Sequence, residues 1–217
     1  LRKKRRKKRI FVKQEKDAMA FTFFFRDLHT IEHVVRIMVP EVSGRSKIKV
    51  WDAGCAMGPE PYTLAIVLAE NMGNFSFKNL IITATDIDEC DTFGNIIKEG
   101  AYSEEETKRI PPEIFSRYFE KNDGNGFRLV DSIRDRVRFQ KHDLLTLQPA
   151  GTDYSLILCK NVLLHFRQEE RIEVIKMFHN SLIPGGLVAW EQTQKLPEEL
   201  SEMFTQVVSD AQIYRKI

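Results

Sequence analysis

The stretch IKVWDAGCAMGPEPYTLAIVLAENM, residues 48–72, begins as a short apolar run, breaks at Asp52, Ala53 and Gly54, and resumes as a helical pattern from Tyr62. It reads as strand, glycine turn, helix. A second unit follows at LIITATDID, residues 80–88, a strand ending in paired acids, with a helix from about Cys90 to Glu99. Short β-rich strands without alternation, separated by helices, predict a parallel sheet covered on both faces and wound by right-handed crossovers. Further strands are expected at Val137 to His142, at DYSLILCKN (153–161) and at LVAWEQ (187–192). QEERIEVIKMFHNSLIPGG (168–186) reads as a helix ended by Pro184 and two glycines, and PEELSEMFTQVVSDAQIYRKI (197–217) as a short helix with two β runs forming an antiparallel edge.

Upstream, FTFFFRDLHTIEHVVRIMVP (21–40) suggests an aromatic wedge followed by a helix that packs Leu28, Ile31, Val34, Val35 and Met38 and stops near Pro40. Ser103 is a plausible N-cap for SEEETKR, and PPEIFSRYFEK makes a second short helix entered through prolines. The DGNG turn at 123–126 predicts a hairpin around Phe127 to Val130, which is the place for a small β insertion near residues 120–135. The expected organisation is one α/β domain over residues 21–217, preceded by a flexible basic segment at 1–20.

The chain has 217 residues, 42% of them apolar, enough for one domain with a sizeable core. Its formal charge of +2 hides an asymmetry, because LRKKRRKKR supplies eight of the 33 basic residues. The remainder carries 25 basic against 31 acidic residues, so the basic character belongs to the end of the chain and says little about a body surface for nucleic acid. Cys55, Cys90 and Cys159 are far apart and form no CxxC pair, which supports neither a disulfide framework nor a thiolate zinc site. His29 and His33 share a helix face, but no acid cluster stands near them in the sequence, and no metal is expected. With no run of roughly 18 apolar residues, a cytoplasmic protein without membrane insertion is expected.

Ligands of open parallel sheets lie at the carboxyl ends of the strands, where backbone must approach closely and a carboxylate can hold a ribose. Gly54 and Gly58 supply the first requirement, and Asp86 or Asp88, closing the second strand, the other. The acids stand farther along than the roughly 20 residues of a dinucleotide fingerprint, and GxGxxG is absent, so a nicotinamide enzyme is the weaker reading. GCAMGPEP also lacks the Lys-Ser or Lys-Thr pair of a phosphate loop.

Nine motifs then occur in one order: TFFFR (22–26), WDAGCAMGPEPYTLA (51–65), ATDID (84–88), GAYS (100–103), RYF (117–119), VRFQKHDLL (137–145), LILCKNVLLHF (156–166), LIPGG (182–186) and IYRK (213–216). Together they resemble the chemotaxis receptor methyltransferase family, which methylates receptor glutamates using S-adenosylmethionine. The resemblance implies a class I S-adenosylmethionine-dependent methyltransferase fold, a doubly wound, mostly parallel sheet with an antiparallel C-terminal edge. It covers the catalytic domain only, since the family's N-terminal helical domain has no counterpart in the roughly 20 residues before Thr22. Carried over by position, Thr22 and Arg26 resemble cofactor and active-site contacts. Ala53 and Gly54 look like the glycine-loop backbone, Asp86 like the ribose acid, Asp143 and Leu144 like the loop beside the adenine, and Asn161 like a cofactor-side residue.

The departures fall on the substrate side. Pro59-Glu60 stands where the family has two glutamates, so Glu60 or Asp86 must take a larger share of the cofactor. Lys160 replaces an arginine, His165 a tyrosine, and Trp190-Glu191-Gln192-Thr193 the family's Gly-x-Ser-Glu. Trp190 and Glu191 are expected to help wall the substrate pocket. Arg26 suits a forked pair with a carboxylate, and His165 is the candidate base if the acceptor is a hydroxyl or amine. The expected activity is methyl transfer to a carboxylate such as a protein glutamate, leaving S-adenosylhomocysteine, with a small-molecule acceptor as a variant. The alternative is a sensor or scaffold domain that binds the cofactor or its product with altered catalysis. A nucleic-acid acceptor is not expected, because no Asn/Asp-Pro-Pro-Tyr motif is present.

Overall fold

A computed structural model describes residues 22–124 and 126–217. The basic run and Phe21 lie outside the described residues. The described chain begins with the buried Phe24, whose ring meets Tyr102 edge-on at 4.9 Å and Phe119 at 5.5 Å. Phe23 lies under Arg109, and the Phe25 amide donates to Thr63 Oγ1 at 3.0 Å.

Helix α1 (Leu28–Val42) follows, burying Ile31, Val34, Val35, Met38 and Val42. It runs through Pro40 rather than stopping there. Pro40 is exposed and costs the helix only the donor to the Arg36 carbonyl, while the last turn is held by buried Val42 and by the forked Glu41–Arg215 pair at 2.7 and 3.0 Å. Strand β1 (Ile48–Ala53) leads into α2 (Pro59–Asn71), where Gly58 is the N-cap and Pro59 fills the first turn without wasting a donor. Helix α2 is buried almost all round, from Pro59 to Leu68, because α1 covers the side that the sheet does not. Each of Leu64, Ile66 and Leu68, fully buried here, contributes about 1.5–3 kcal/mol of apolar transfer.

A short helix not anticipated from the sequence, α3 (Asn74–Lys78), precedes β2 (Leu80–Asp86), and α4 (Phe93–Glu99) comes next. Then come β3 (Ala101–Tyr102), α5 (Glu104–Thr107) with its Ser103–Glu106 capping box, α6 (Pro112–Tyr118), β4 (Phe119–Lys121) and β5 (Phe127–Leu129). The three strands form a small antiparallel sheet in the order β3-β5-β4. It is tied to the main body where the Tyr102 hydroxyl donates to the Met57 carbonyl at 2.9 Å.

After α7 (Asp131–Arg134), strands β6 (Val137–Lys141) and β7 (Tyr154–Cys159) precede α8 (Gln168–Ser181), β8 (Leu182–Trp190), β9 (Phe204–Gln206) and β10 (Ile213–Lys216). The main sheet runs β6-β2-β1-β7-β8-β10-β9. Its first five strands are parallel, and β10 and β9 close it antiparallel. Side chains alternate between two cores: Val50, Leu156 and Leu158 face α1 and α2, while Trp51, Ile157 and Cys159 face α8.

Pro184 and its glycines do not end α8. The helix stops at Ser181, Leu182 pairs with Tyr154, and the register jumps before Leu156 meets Leu187, so Ile183 to Gly186 are a bulge within β8. The open carbonyls at the end of α8 are met instead by Lys216 Nζ, 2.8 Å from the His179 oxygen and 2.9 Å from that of Leu182. The helix expected after Pro197 is one 3₁₀ turn, Glu198–Leu200. No helix among the described residues is long and apolar enough to cross a membrane.

Candidate active site

Strand order reverses between β1 and β7, and there the carboxyl ends of the strands splay around a cavity of about 580 Å³. The loop after β1 forms one wall. Gly54 and Cys55 both donate to the Thr85 carbonyl, at 2.7 and 2.9 Å, which binds the turn to the end of β2. Gly54 has φ 105°, and a Cβ there would lie 2.1 Å from Val162 Cγ2, so only glycine lets the loops after β1 and β7 meet.

Asp86 closes β2. One oxygen accepts from the Ala56 amide at 2.9 Å and the other from Asp88 N at 3.3 Å, leaving lone pairs directed at the cavity it lines. The two acids that the sequence left as alternatives thus separate. Asp88 is buried and accepts from Thr92 N and Phe93 N at 2.9 and 3.1 Å, so it starts α4 and does not line the cavity.

Beneath the loop, Asp52 is wholly buried, and the partner its carboxyl finds among the described residues is the carboxyl of Glu60. Burial, then the charge of Glu60, pushes Asp52 well above the usual carboxylate range. Glu60 lines the cavity, and burial pushes it up to about 7 against the lowering contributions of its hydrogen bond with Asp52 and of the Lys160 charge. The basic wall comes from elsewhere. Arg26 reaches the cavity just before α1, its Nε 4.0 Å from Asp27 Oδ2. Lys160, its side chain 3% exposed, has Nζ 3.5 Å from Asp27 Oδ2 and 3.4 Å from Thr30 Oγ1.

The remaining lining includes Thr22, Asp143 and Leu144 from the loop after β6, and Asn161 and His165 from the loop after β7. Asp143 also caps its own turn by accepting from Leu145 N at 2.9 Å. Of the residues singled out from the sequence, Thr22, Arg26, Gly54, Glu60, Asp86, Asp143, Leu144, Asn161 and His165 meet here, whereas Ala53, Gly58 and Asp88 do not line the cavity. Ala53 ends β1 with its side chain packed in the core behind the loop, because alternation along the strand turns it away. Trp190 and Glu191 do not wall the cavity either. Trp190 stacks on Tyr214, and buried Glu191 accepts from Asn161 N at 3.1 Å and Leu164 N at 2.8 Å, holding the β7 loop from behind. Asn161 and Ala56, at φ 60° and 47°, keep left-handed backbone at the two loops that need it.

Sequence reasoning missed the apolar rim. Ile87, Leu145 and Leu164 are each more than two-fifths exposed, and all three line this cavity. Such a rim suits an aromatic base and a partner surface. The donor set fits S-adenosylmethionine: an acid with free lone pairs for a ribose diol, a buried acid pair for a cationic ligand, basic side chains for a carboxylate, and a glycine cradle closed to any Cβ.

Five parallel strands with an antiparallel edge, and this site at their switch point, define the class: an S-adenosylmethionine-dependent methyltransferase domain of the class I fold. Residues 20–213 match the model of the family described as "CheR methyltransferase, SAM binding domain", and the chain belongs to that family. It is 28% identical over 191 residues to chemotaxis protein methyltransferase 1 of Pseudomonas aeruginosa, covering 82% of this chain and 68% of that protein. It is 30% identical over 171 residues to the chemotaxis protein methyltransferase of Listeria innocua, covering 76% and 61%. Across relatives of this kind the chain spans between 59% and 72% of their length. Among solved structures, magnesium protoporphyrin IX methyltransferase from Synechocystis with bound SAM aligns with a TM-score of 0.49 at 16% identity, covering 86% of this chain and 77% of that one.

Proposed function

We propose that this domain methylates a carboxylate, and that its acceptor is a glutamate side chain of a protein. The observation that carries the reading is the pairing of Arg26 and buried Lys160 on one cavity wall with an open, apolar mouth. Two cations suit two carboxylates, that of the cofactor and that of the acceptor, while an exposed rim suits an acceptor carried on a larger molecule. When bound, S-adenosylmethionine supplies an electrophilic methyl group on a cationic sulfur. Asp86 accepts from the ribose hydroxyls, and the Asp143-Leu144 turn and Ile87 flank the base. Arg26 and Lys160 orient the carboxylates, and Thr22 and Asn161 complete the polar lining. A carboxylate is already ionised at neutral pH, so alignment suffices and no base is needed. Among the described residues, neither lining histidine is held by a carboxylate as a general base would be: His142 Nε2 faces the Gln148 carbonyl at 2.7 Å, and His165 sits exposed at the rim.

The test uses methyl-labelled S-adenosylmethionine with glutamate-containing peptides and matched peptides carrying glutamine. Label that appears only with glutamate, is released as methanol in mild alkali and is lost in Arg26→Ala supports the reading. Label that survives alkali, or that appears equally on the glutamine peptides, refutes carboxylate transfer.

A further inference from the structure

On the face of α1 away from its buried stripe, His29 and His33 stand one turn apart, and the connection between β9 and β10 delivers Asp210 between them. The third group comes from 181 positions away, so spacing along the chain does not announce the cluster. His29 Nε2 is 2.9 Å from Asp210 Oδ2, His33 Nε2 is 3.4 Å from the same oxygen, and the two Nε2 atoms are 3.2 Å apart. The rings meet edge-on at 87°. Three donors bound to one transition-metal ion at about 2.0–2.1 Å in tetrahedral geometry would lie roughly 3.3 Å from one another. The triangle here already has those edges.

We propose that His29, His33 and Asp210 form a surface site for one divalent transition-metal ion of the zinc type. Two imidazoles and a carboxylate favour zinc, cobalt, nickel or copper over magnesium or calcium, which prefer all-oxygen shells. His29 and Asp210 are more than half exposed, so the fourth position is open to water. The ion would fasten the start of the helix that follows Arg26 to the hairpin at the sheet edge, which the Glu41–Arg215 pair already joins at the helix's other end. A neighbouring contact sets a condition. Arg36 Nη2 lies 2.6 Å from His33 Nδ1 and competes with the ion, since ligation through Nε2 leaves the ring proton on Nδ1. Arg36 is exposed and free to swing away when the ion enters.

The whole chain, stripped with chelator, is titrated calorimetrically with Zn²⁺, and Co²⁺ is followed by its visible absorption. The expected result is one ion per chain, an intense tetrahedral cobalt band, and a melting temperature that rises with Zn²⁺ and falls back with chelator. Asp210→Ala, His29→Ala and His33→Ala each weaken binding at least tenfold, whereas Asp153→Ala, an exposed acid elsewhere, leaves it unchanged. Arg36→Ala binds more tightly than the parent. His29, Arg36, Asp153 and Asp210 are exposed and His33 is mostly covered, and circular dichroism checks that each variant folds. Undiminished affinity in Asp210→Ala would reduce the cluster to an ordinary two-histidine surface pair and overturn the proposal. Weaker binding in Arg36→Ala, or no binding by the parent, would also overturn it, the latter leaving two histidines hydrogen-bonded to an aspartate.

Discussion

Glu60→Gln tests the electrostatics of the cavity floor without changing its shape. Native Glu60 titrates near 7 because it is buried, against an ordinary glutamate value of 4.5 in the unfolded chain. Its pKa is raised on folding, so the native state binds the extra proton. The stability this group permits is fully present below the unfolded value and is lost as pH rises through the native one. Asp52, likewise pushed up by burial, is present in both proteins, so the difference between variant and parent reports Glu60. A separation of about 2.5 pH units corresponds to at most ~3 kcal/mol, of which roughly 2–3 kcal/mol develops between pH 5 and pH 8. The amide cannot ionise. Urea unfolding of the ligand-free protein at both pH values should therefore show the variant gaining about 2–3 kcal/mol on the parent as pH rises. For a chain of this size the same difference is roughly 5–10 °C in melting temperature. A gap between variant and parent that stays constant with pH would mean that Glu60 ionises normally, with water or a cation already satisfying it.

Four further outcomes follow from the same site. Near pH 7, binding of cationic S-adenosylmethionine should release a larger fraction of a proton than binding of neutral-sulfur S-adenosylhomocysteine, read from calorimetry in buffers of different ionisation enthalpy; equal release would detach Glu60 from the cofactor. Gly54→Ala places a Cβ 2.1 Å from Val162 Cγ2 and should abolish cofactor binding. Adding Val162→Ala should restore only part of it, since the φ of 105° still costs an alanine about 1–2 kcal/mol. Asp86→Ala removes the acceptor for the Ala56 amide as well as the cofactor acid, so affinity should fall at least tenfold and the Ala56 amide should exchange faster; unchanged affinity would remove Asp86 from the site. Glu191→Ala frees the amides of Asn161 and Leu164, charge-assisted bonds worth about 1.5–3 kcal/mol each, so hydrogen exchange at both should accelerate with little change in the Gly54 loop.

The main sheet and its glycine loop are legible in the sequence because both are local. The β1 to α2 unit announces itself through Gly54, Gly58 and the run from Tyr62, and Asp86 through its place at the end of a strand. What was misread depends on contacts between distant segments. Pro40 looks like a helix stop until Glu41 meets Arg215, and Pro184 looks like another until Leu182 is seen to pair with Tyr154. Glu191 reads as a pocket wall because it ends a strand, yet alternation and the loop after β7 turn it into a tether.

The same division runs through the active site. Its acids are local to β1, α2 and β2, whereas its cations depend on where α1 lies. Lys160 belongs to the β7 loop, but its partners, Asp27 and Thr30, stand about 130 positions earlier at the start of α1. Arg26 enters the cavity from that same helix start. Any force that repositions α1 therefore moves both basic groups relative to Asp86 and Glu60, while the glycine loop, bonded to Thr85 and Asp86, stays where it is. On the proposed function, the cofactor and acceptor carboxylates fall to the adjustable half of the site and the ribose to the fixed half. A substitution such as Asp27→Asn, which loosens α1 from Lys160 without touching the ribose wall, should accordingly weaken S-adenosylmethionine and leave adenosine binding almost unchanged. Equal losses for the two ligands would show that the halves move as one.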